Sequence, residues 1–342
     1  MNFILKNENA IYYECGFSCD NSIFLKFGNE AFFVTDGRYT TEAKENIKNA
    51  EVVNSDFDIY KTSRQILRKN KIKKVIYDPL DWSVANFEKL SSNLNCYFFS
   101  KQNFSQKKRI IKNEKEIEKI KKAVSLGSEG FENFVQYLQL NGNGKSEKKL
   151  FFKANEILCQ YGELTSSFDP IVAIDKNSAK PHSLPTDAKL QEDALLLLDA
   201  GTKYQRYCSD RTRVIEYNTE KELNFSKKQK FKDKKQQKIY DIVLKAQEKA
   251  IKYAKVGIKA KDIDKAARDV IEKAGYGKYY IHSTGHGVGL DIHELPVISK
   301  RSETVIEENM IFTIEPGIYL PNKFGIRIED MLVMTKNGAQ VL

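Results

Sequence analysis

Long apolar runs are missing from this chain. No stretch approaches the roughly 20 residues that a membrane-spanning helix requires, so a membrane protein is not expected. The first ten residues, MNFILKNENA, hold one lysine and then polar side chains. They lack the apolar segment of a secretory leader, and none is expected. Cysteine is scarce: Cys15, Cys19, Cys96, Cys159 and Cys208 make an odd count, and only Cys15 and Cys19 lie close together. A disulfide framework and a zinc knuckle are therefore both unsupported, and a reduced, cytoplasmic setting is expected. Histidine is scarcer still, with His182, His282, His286 and His293 as the only four. No internal repeat organises the chain.

What is present suffices for a large core. Hydrophobic residues make up 41% and aromatic residues 11% of 342 positions, which argues against disorder. The length favours two domains, since a typical domain has about 100–200 residues. The net charge of +10 would suit a polyanion partner if it were spread over a face. It is instead concentrated: Lys221 to Lys238 carries eight lysines against Glu222 and Asp233. A basic insertion at about 219–237, read as a solvated loop, explains the charge better than a nucleic-acid surface. Nucleic acid is not the expected partner.

Residues 1–110 alternate strand-like runs with helical stretches and read as a small α/β domain. Ser22–Phe27 and Ala31–Thr35 flank Gly28-Asn29, a hairpin signal. Residues 111–342 read as the second domain. A helix is predicted from Ile117 through Leu138, ended by Asn141-Gly-Asn-Gly144, and another from about Ser146 to Gly162. Strands are predicted at 171–174, 194–198, 213–215, 310–314, 325–328 and 331–334. Two further helices precede Gly257 and Gly275, with Asp262 proposed as the second one's N-cap. Helices and strands mix without strict βαβ alternation, which predicts an α+β fold on an antiparallel or mixed sheet.

The chemistry gathers in the second domain. Asp199 follows Leu195-Leu-Leu-Leu198, Asp210 lies in Ser209-Asp-Arg-Thr212, Glu315 follows Ile311-Phe-Thr-Ile314, and Glu329 sits in Ile326-Arg-Ile-Glu-Asp330. Acids at the ends of apolar strands are costly to desolvate unless they are paired or bind metal. One such acid facing water would need no explanation. Four of them with a histidine cluster predict a carboxylate-rich metal site. Two Asp, two Glu and one His carry too much negative charge for a single divalent ion, so two ions are predicted. Oxygen-rich ligation with one imidazole suits Mn2+, with Co2+, Zn2+ or Fe2+ as alternatives.

These residues resemble a known set. Leu198-Asp-Ala-Gly201, Ser209-Asp-Arg-Thr212, His286-Gly-Val-Gly289, Thr313-Ile-Glu-Pro-Gly317 and Ile326-Arg-Ile-Glu-Asp330 stand in the order of the motifs of the aminopeptidase P, prolidase and methionine aminopeptidase family. The resemblance implies a pita-bread catalytic domain at 111–342, with a curved, mainly antiparallel sheet flanked by helices. It implies Asp199, Asp210, His286, Glu315 and Glu329 as ligands of two divalent metal ions, and Glu315 as general base. Pro181-His-Ser-Leu-Pro185, His282 and Asp291-Ile-His-Glu294 resemble the proline-peptidase branch. That likeness implies His182, His282 and His293 as substrate-binding catalytic residues. Residues 1–110, with Asp36-Gly-Arg-Tyr39, are similar to that branch's creatinase-like N-terminal domain. Arg327, two residues from Glu329, is expected on the same strand face, orienting the carboxylates from behind.

The implied activity is hydrolysis of Xaa-Pro bonds at the N-terminus of short proline-containing peptides, as an Xaa-Pro aminopeptidase or an Xaa-Pro dipeptidase. The implied assembly is a homodimer. Pro296 is followed by Val297, where many prolidase-like relatives have Arg, and this counts against a strict dipeptidase. A methionine-aminopeptidase-like or creatinase-like amide hydrolase stays open as an alternative. So does a non-catalytic binding module that uses the lysine-rich segment.

Overall fold

Alternation in the first strands produces a sheet with two buried faces. In the computed structural model, which describes residues 1–342, Phe3, Leu5, Phe24 and Phe33 enter one core. Their neighbours Ile4, Ile23, Leu25 and Val34 enter another on the opposite face. The sheet has six strands, in the order Glu51–Asn54, Glu30–Thr35, Ile23–Phe27, Phe3–Leu5, Lys74–Tyr77, Tyr97–Ser100. Its centre is antiparallel and its outer pairs are parallel. Phe27 pairs with Glu30, so Gly28-Asn29 is the two-residue hairpin turn, with Gly28 at φ 57°. This unit comprises Met1–Arg109, and a second comprises Ile110–Leu342.

In the second unit the helix Glu114–Asn141 begins with a capping box. The Asn113 side chain accepts from the Glu116 amide at 3.1 Å, and the Glu116 carboxylate accepts from the Asn113 amide at 2.9 Å. Its apolar stripe packs with the helix Glu147–Leu158 against one face of the strand Leu195–Ala200, taking Leu196 and Leu198. Leu195 and Leu197 point the other way, into a core shared with the helices Lys234–Tyr253 and Ala260–Lys273. That strand is buried on both faces, which explains its unbroken leucine run.

Leu195–Ala200 lies between Ile171–Ile174 and Arg211–Glu216, antiparallel to both. A five-stranded antiparallel sheet is ordered Glu294–Ile298, Gly285–Gly287, Ile311–Ile314, Asp330–Thr335, Gly338–Val341. The hairpin Gly317–Leu320 with Phe324–Arg327 completes this half. The fold is thus mixed α and β, with antiparallel sheets carrying the second unit.

Three expectations need correction. The helix of 260–273 starts one turn earlier than Asp262 implies: Lys259 is its N-cap, and Asp262 lies in the first turn, where its charge meets the helix dipole. The basic segment at 219–237 is not a solvated loop throughout. Leu223, Phe225 and Phe231 are buried, and the next helix already begins at Lys234. Strands at Gly285–Gly287, Glu294–Ile298 and Gly317–Leu320 went unread, because glycine and proline interrupt their patterns.

Glu147 fastens the segment that carries His182. Its carboxylate is fully buried. It accepts from the Ile174 amide at 2.6 Å, the Asn177 side chain at 2.8 Å, and the Thr186 amide and hydroxyl at 2.7 and 2.5 Å. Replacing it strands several donors, each costing about 1–3 kcal/mol when left buried and unpaired. Glu147→Ala is expected to destabilise the fold by about 3–5 kcal/mol in denaturant unfolding. A loss under about 1 kcal/mol would show that water takes over those donors.

Candidate metal centre

Strand ends from both sheets converge on one point. Asp199 closes the leucine strand, in register with Thr212 and Ile171. Asp210 precedes the strand Arg211–Glu216. Glu315 follows Ile311–Ile314, and Glu329 precedes Asp330–Thr335; Ile314 pairs with Asp330, so both glutamates flank one rung. His286 lies in Gly285–Gly287, the next strand over. Two glycines allow this convergence. A Cβ on Gly201 would lie 1.8 Å from the Ser209 carbonyl oxygen, and one on Gly285 would lie 1.9 Å from that of Thr313. Backbone approaches backbone there, and no side chain fits.

The ligating atoms of Asp210, His286 and Glu329 all lie within 4.8 Å of one another. His286 Nε2 is 3.5 Å from Asp210 Oδ2 and 3.4 Å from Glu315 Oε1. Its Nδ1 is 3.1 Å from the Gly287 carbonyl, an acceptor that fixes the proton on Nδ1 and turns the Nε2 lone pair toward the acids. Burial lowers the proton affinity of His286, so the imidazole is neutral and able to ligate. Asp199, Asp210 and Glu329 are buried.

Electrostatics tests whether this set suits a metal. Burial raises the Asp210 carboxyl well above its ordinary value, and the charges of Glu329, Asp199 and Glu315 add to it. Glu329 is raised by burial and by the charges of Glu315 and Asp199. Burial pushes Glu315 up to about 7, against the lowering pull of Arg327. Asp199 Oδ1 is buried with no hydrogen-bond partner. Four crowded carboxylates, an unpartnered acceptor and a neutral imidazole fit divalent cations, which would supply the missing positive charge.

Arg327 organises the surroundings. It donates to Asp199 Oδ2 at 2.5 Å, to the Thr212 hydroxyl at 3.0 Å and to the Tyr319 hydroxyl at 2.8 Å. Thr212 in turn donates to Glu329 at 2.6 Å. The strand of Arg327 ends at that residue, so the expected shared strand face with Glu329 does not exist. Arg327 grips Asp199 directly and reaches Glu329 only through Thr212. The Tyr319 hydroxyl is 2.9 Å from His282 Nε2, whose Nδ1 is 2.7 Å from the Ser283 carbonyl. A proton on Nδ1 makes Tyr319 the donor to Nε2. Burial lowers the His282 proton affinity to about 3, which keeps that ring neutral.

His182 and His293 are exposed. The His293 ring lies 4.3 Å from that of His286. His182 lies on the segment between Asn177 and Thr186, both of which the Glu147 carboxylate holds. Thr212 and Tyr319 were not singled out from the sequence. Thr212 stands inside the Ser209–Thr212 motif and was available to inspection. Tyr319 lies in an unread strand and left no signal.

Comparison with known proteins gives consistent results. The model for "Metallopeptidase family M24" matches residues 118–336, and that for "Creatinase/Prolidase N-terminal domain" matches residues 2–111. An Xaa-Pro dipeptidase of Pyrococcus furiosus is 36% identical over 342 residues, which is 99% of this chain and 92% of that protein. An Xaa-Pro dipeptidase from Bacillus anthracis has a structure similar at TM-score 0.90 and 31% identity, covering 99% of this chain and 92% of its own. An X-Pro aminopeptidase from Thermotoga maritima MSB8 is similar at TM-score 0.86 and 34% identity, covering 99% and 94%.

The raised carboxyls have a measurable consequence. In the metal-free protein, Glu315 keeps its proton up to about pH 7, whereas an unfolded glutamate releases it near 4.5. The folded state then binds more protons, so these groups lose stability as pH rises through that window. A cation held by the ionised carboxylates removes the penalty. The melting temperature of Mn2+-loaded protein is therefore expected to exceed that of chelator-treated protein by a margin that widens from about pH 5 to about pH 7. A margin constant with pH would contradict the assignment of these acids.

Proposed function

We infer that this chain, which belongs to metallopeptidase family M24, is a metal-dependent hydrolase that cleaves the Xaa-Pro bond of short peptides, with Xaa-Pro dipeptides as substrates. The observation that carries this reading is the gathering of Asp199, Asp210, His286, Glu315 and Glu329 in one buried place. It stands in a chain similar along 99% of its length to a protein named Xaa-Pro dipeptidase.

In this proposal those five side chains hold two divalent cations, Mn2+ by the oxygen-rich donor set. When bound, the cations supply Lewis-acid chemistry, acidifying water and polarising the scissile carbonyl. The protein does the rest. Glu315, beside His286, takes the proton of the attacking water on its carboxylate and returns it to the leaving proline nitrogen. His182 and His293 orient the substrate and donate hydrogen bonds to the oxygen on which negative charge develops, while His282, whose ring nitrogens are taken by Ser283 and Tyr319, links the Arg327 network to the site. Arg327 holds Asp199 so that the acid's free oxygen faces the cations. An Xaa-Pro bond is a tertiary amide with no N–H, so the site needs no acceptor for that group.

A second reading, aminopeptidase action on longer peptides, is favoured by Val297. It pairs with His286 across the strand and is 40% exposed, so this position offers no cation to a dipeptide's carboxylate. The cytoplasmic setting and the homodimer belong to the same proposal. No helix is long and apolar enough to cross a membrane.

Three experiments test these assignments. Glu315→Gln is expected to lower kcat by about 10²–10⁴-fold for an Xaa-Pro substrate while the fold persists by circular dichroism. Wild-type activity in that variant would remove Glu315 from the mechanism. With Mn2+-loaded protein, Ala-Pro and Ala-Pro-Ala at equal concentration separate the two readings by release of free alanine. Faster release from Ala-Pro supports the dipeptidase, faster release from the tripeptide the aminopeptidase, and release from neither overturns both. Val297→Arg is expected to lower KM for Ala-Pro more than for Ala-Pro-Ala.

A further inference from the structure

The lysine-rich segment is anchored at both ends, and its middle points inward. Phe225 is buried against Phe131 with ring centroids 5.3 Å apart, and Phe231 against Tyr240 at 5.2 Å. The Leu223 amide donates to the Gln139 side chain at 3.0 Å, and the Phe231 amide to that of Gln237 at 2.8 Å. Between these anchors the Tyr240 hydroxyl donates to the Lys227 carbonyl at 3.3 Å. Lys228 and Lys230 face solvent, whereas Lys227 is half-buried. Its ammonium lies 2.5 Å from Asp330 Oδ2.

Asp330 follows Glu329 directly, and three groups grip its carboxylate. Arg213 takes Oδ1, and Gln247 donates to Oδ2 at 2.9 Å beside Lys227. Arg213 also donates to the Glu329 carbonyl at 2.6 Å, so the backbone of a proposed ligand hangs on this network. A cavity of about 270 Å³ is lined by Asp210, Arg211, Arg213, Lys227 and Asp330, so Lys227 shares its wall with one proposed ligand. Without the Lys227 ammonium, Asp330 Oδ2 keeps only Gln247.

We propose that Lys227 is a positioning residue of the metal centre. The basic segment is a strap that delivers one ammonium to Asp330 and so fixes the approach of Glu329. Its neighbours Lys228 and Lys230 are exposed, and nearer the segment's ends Lys221 pairs with Glu216 and Lys232 with Asp193. This rests on the assignment of Glu329 as a ligand, made above. It gives the concentrated charge of the segment a local purpose that needs no polyanion.

The test compares Lys227→Met and Lys227→Arg with a control, the double variant Lys228→Met/Lys230→Met. Mn2+ affinity is read by titration of the chelator-treated protein, alongside kcat, KM and melting temperature. Outer partners of metal ligands typically alter affinity by about 10–100-fold, and Lys227 acts one residue further out. Lys227→Met is expected to weaken Mn2+ binding by about three- to tenfold and to lower kcat, with KM nearly unchanged. Lys227→Arg is expected to restore both, and the control to match wild type. A Lys227→Met protein that melts earlier yet keeps wild-type Mn2+ affinity and kcat would make the contact purely structural and overturn the proposal. Equal loss of affinity in the control would overturn it as well, assigning the effect to net charge. Should wild type bind no Mn2+ at all, the ligand assignment fails instead, and that outcome is separate from both.

Discussion

Like charges resist being buried together, and this chain buries four carboxylates around one imidazole. Burial raises the proton affinity of Asp210, Glu315 and Glu329, and the charge of Asp199 adds to each. A single arginine offsets part of the repulsion by gripping Asp199. Without cations the balance is met by protons, and with cations by metal. Much of the second unit serves this one constraint. Its strands end there, its glycines make room there, and Thr212, Tyr319 and Arg327 tie the acids in place.

The division of labour among the histidines follows from exposure and hydrogen bonding. His286 is half-buried, neutral, and held through Nδ1 so that Nε2 faces the acids. His282 is half-buried as well, but its Nε2 is engaged by Tyr319 and not by a carboxylate. His182 and His293 lie open to solvent. One ring is thus shaped for ligation, one for relaying the hold of Arg327, and two for meeting a substrate. Sequence order alone would treat the three from His282 to His293 as equivalent.

The acids were legible in the sequence because each stands at or beside the end of a strand, and that placement is costly without a purpose. The long helices were legible from their period and caps. The N-terminal hairpin followed from Gly28-Asn29. What escaped did so for physical reasons. The strand that carries His286 is bounded by Gly285 and Gly287, where close backbone approach leaves no room for a Cβ, and Pro296 and Gly317 interrupt two further strands. Tyr319 works through a hydroxyl at the end of a contact chain, and no local pattern marks such a role. The basic segment was misread because its lysines dominate its composition. The three buried apolar residues that pin it are too widely spaced to form a stripe. Arg327 was singled out, but its partner was taken from sequence proximity, and the strand in fact ends before Glu329.

All five cysteines are free, so no disulfide ties distant parts of this chain together. The ligands proposed here come from two separate sheets: Asp199 and Asp210 from one, His286, Glu315 and Glu329 from the other. Cations bound among them would act as a crosslink that closes long loops, removing conformational freedom from the unfolded chain much as a disulfide does. Unlike a disulfide, this closure would answer to pH and metal supply and not to redox state. Its making or breaking would decide how long a newly made chain stays open to proteolysis before the two sheets are joined.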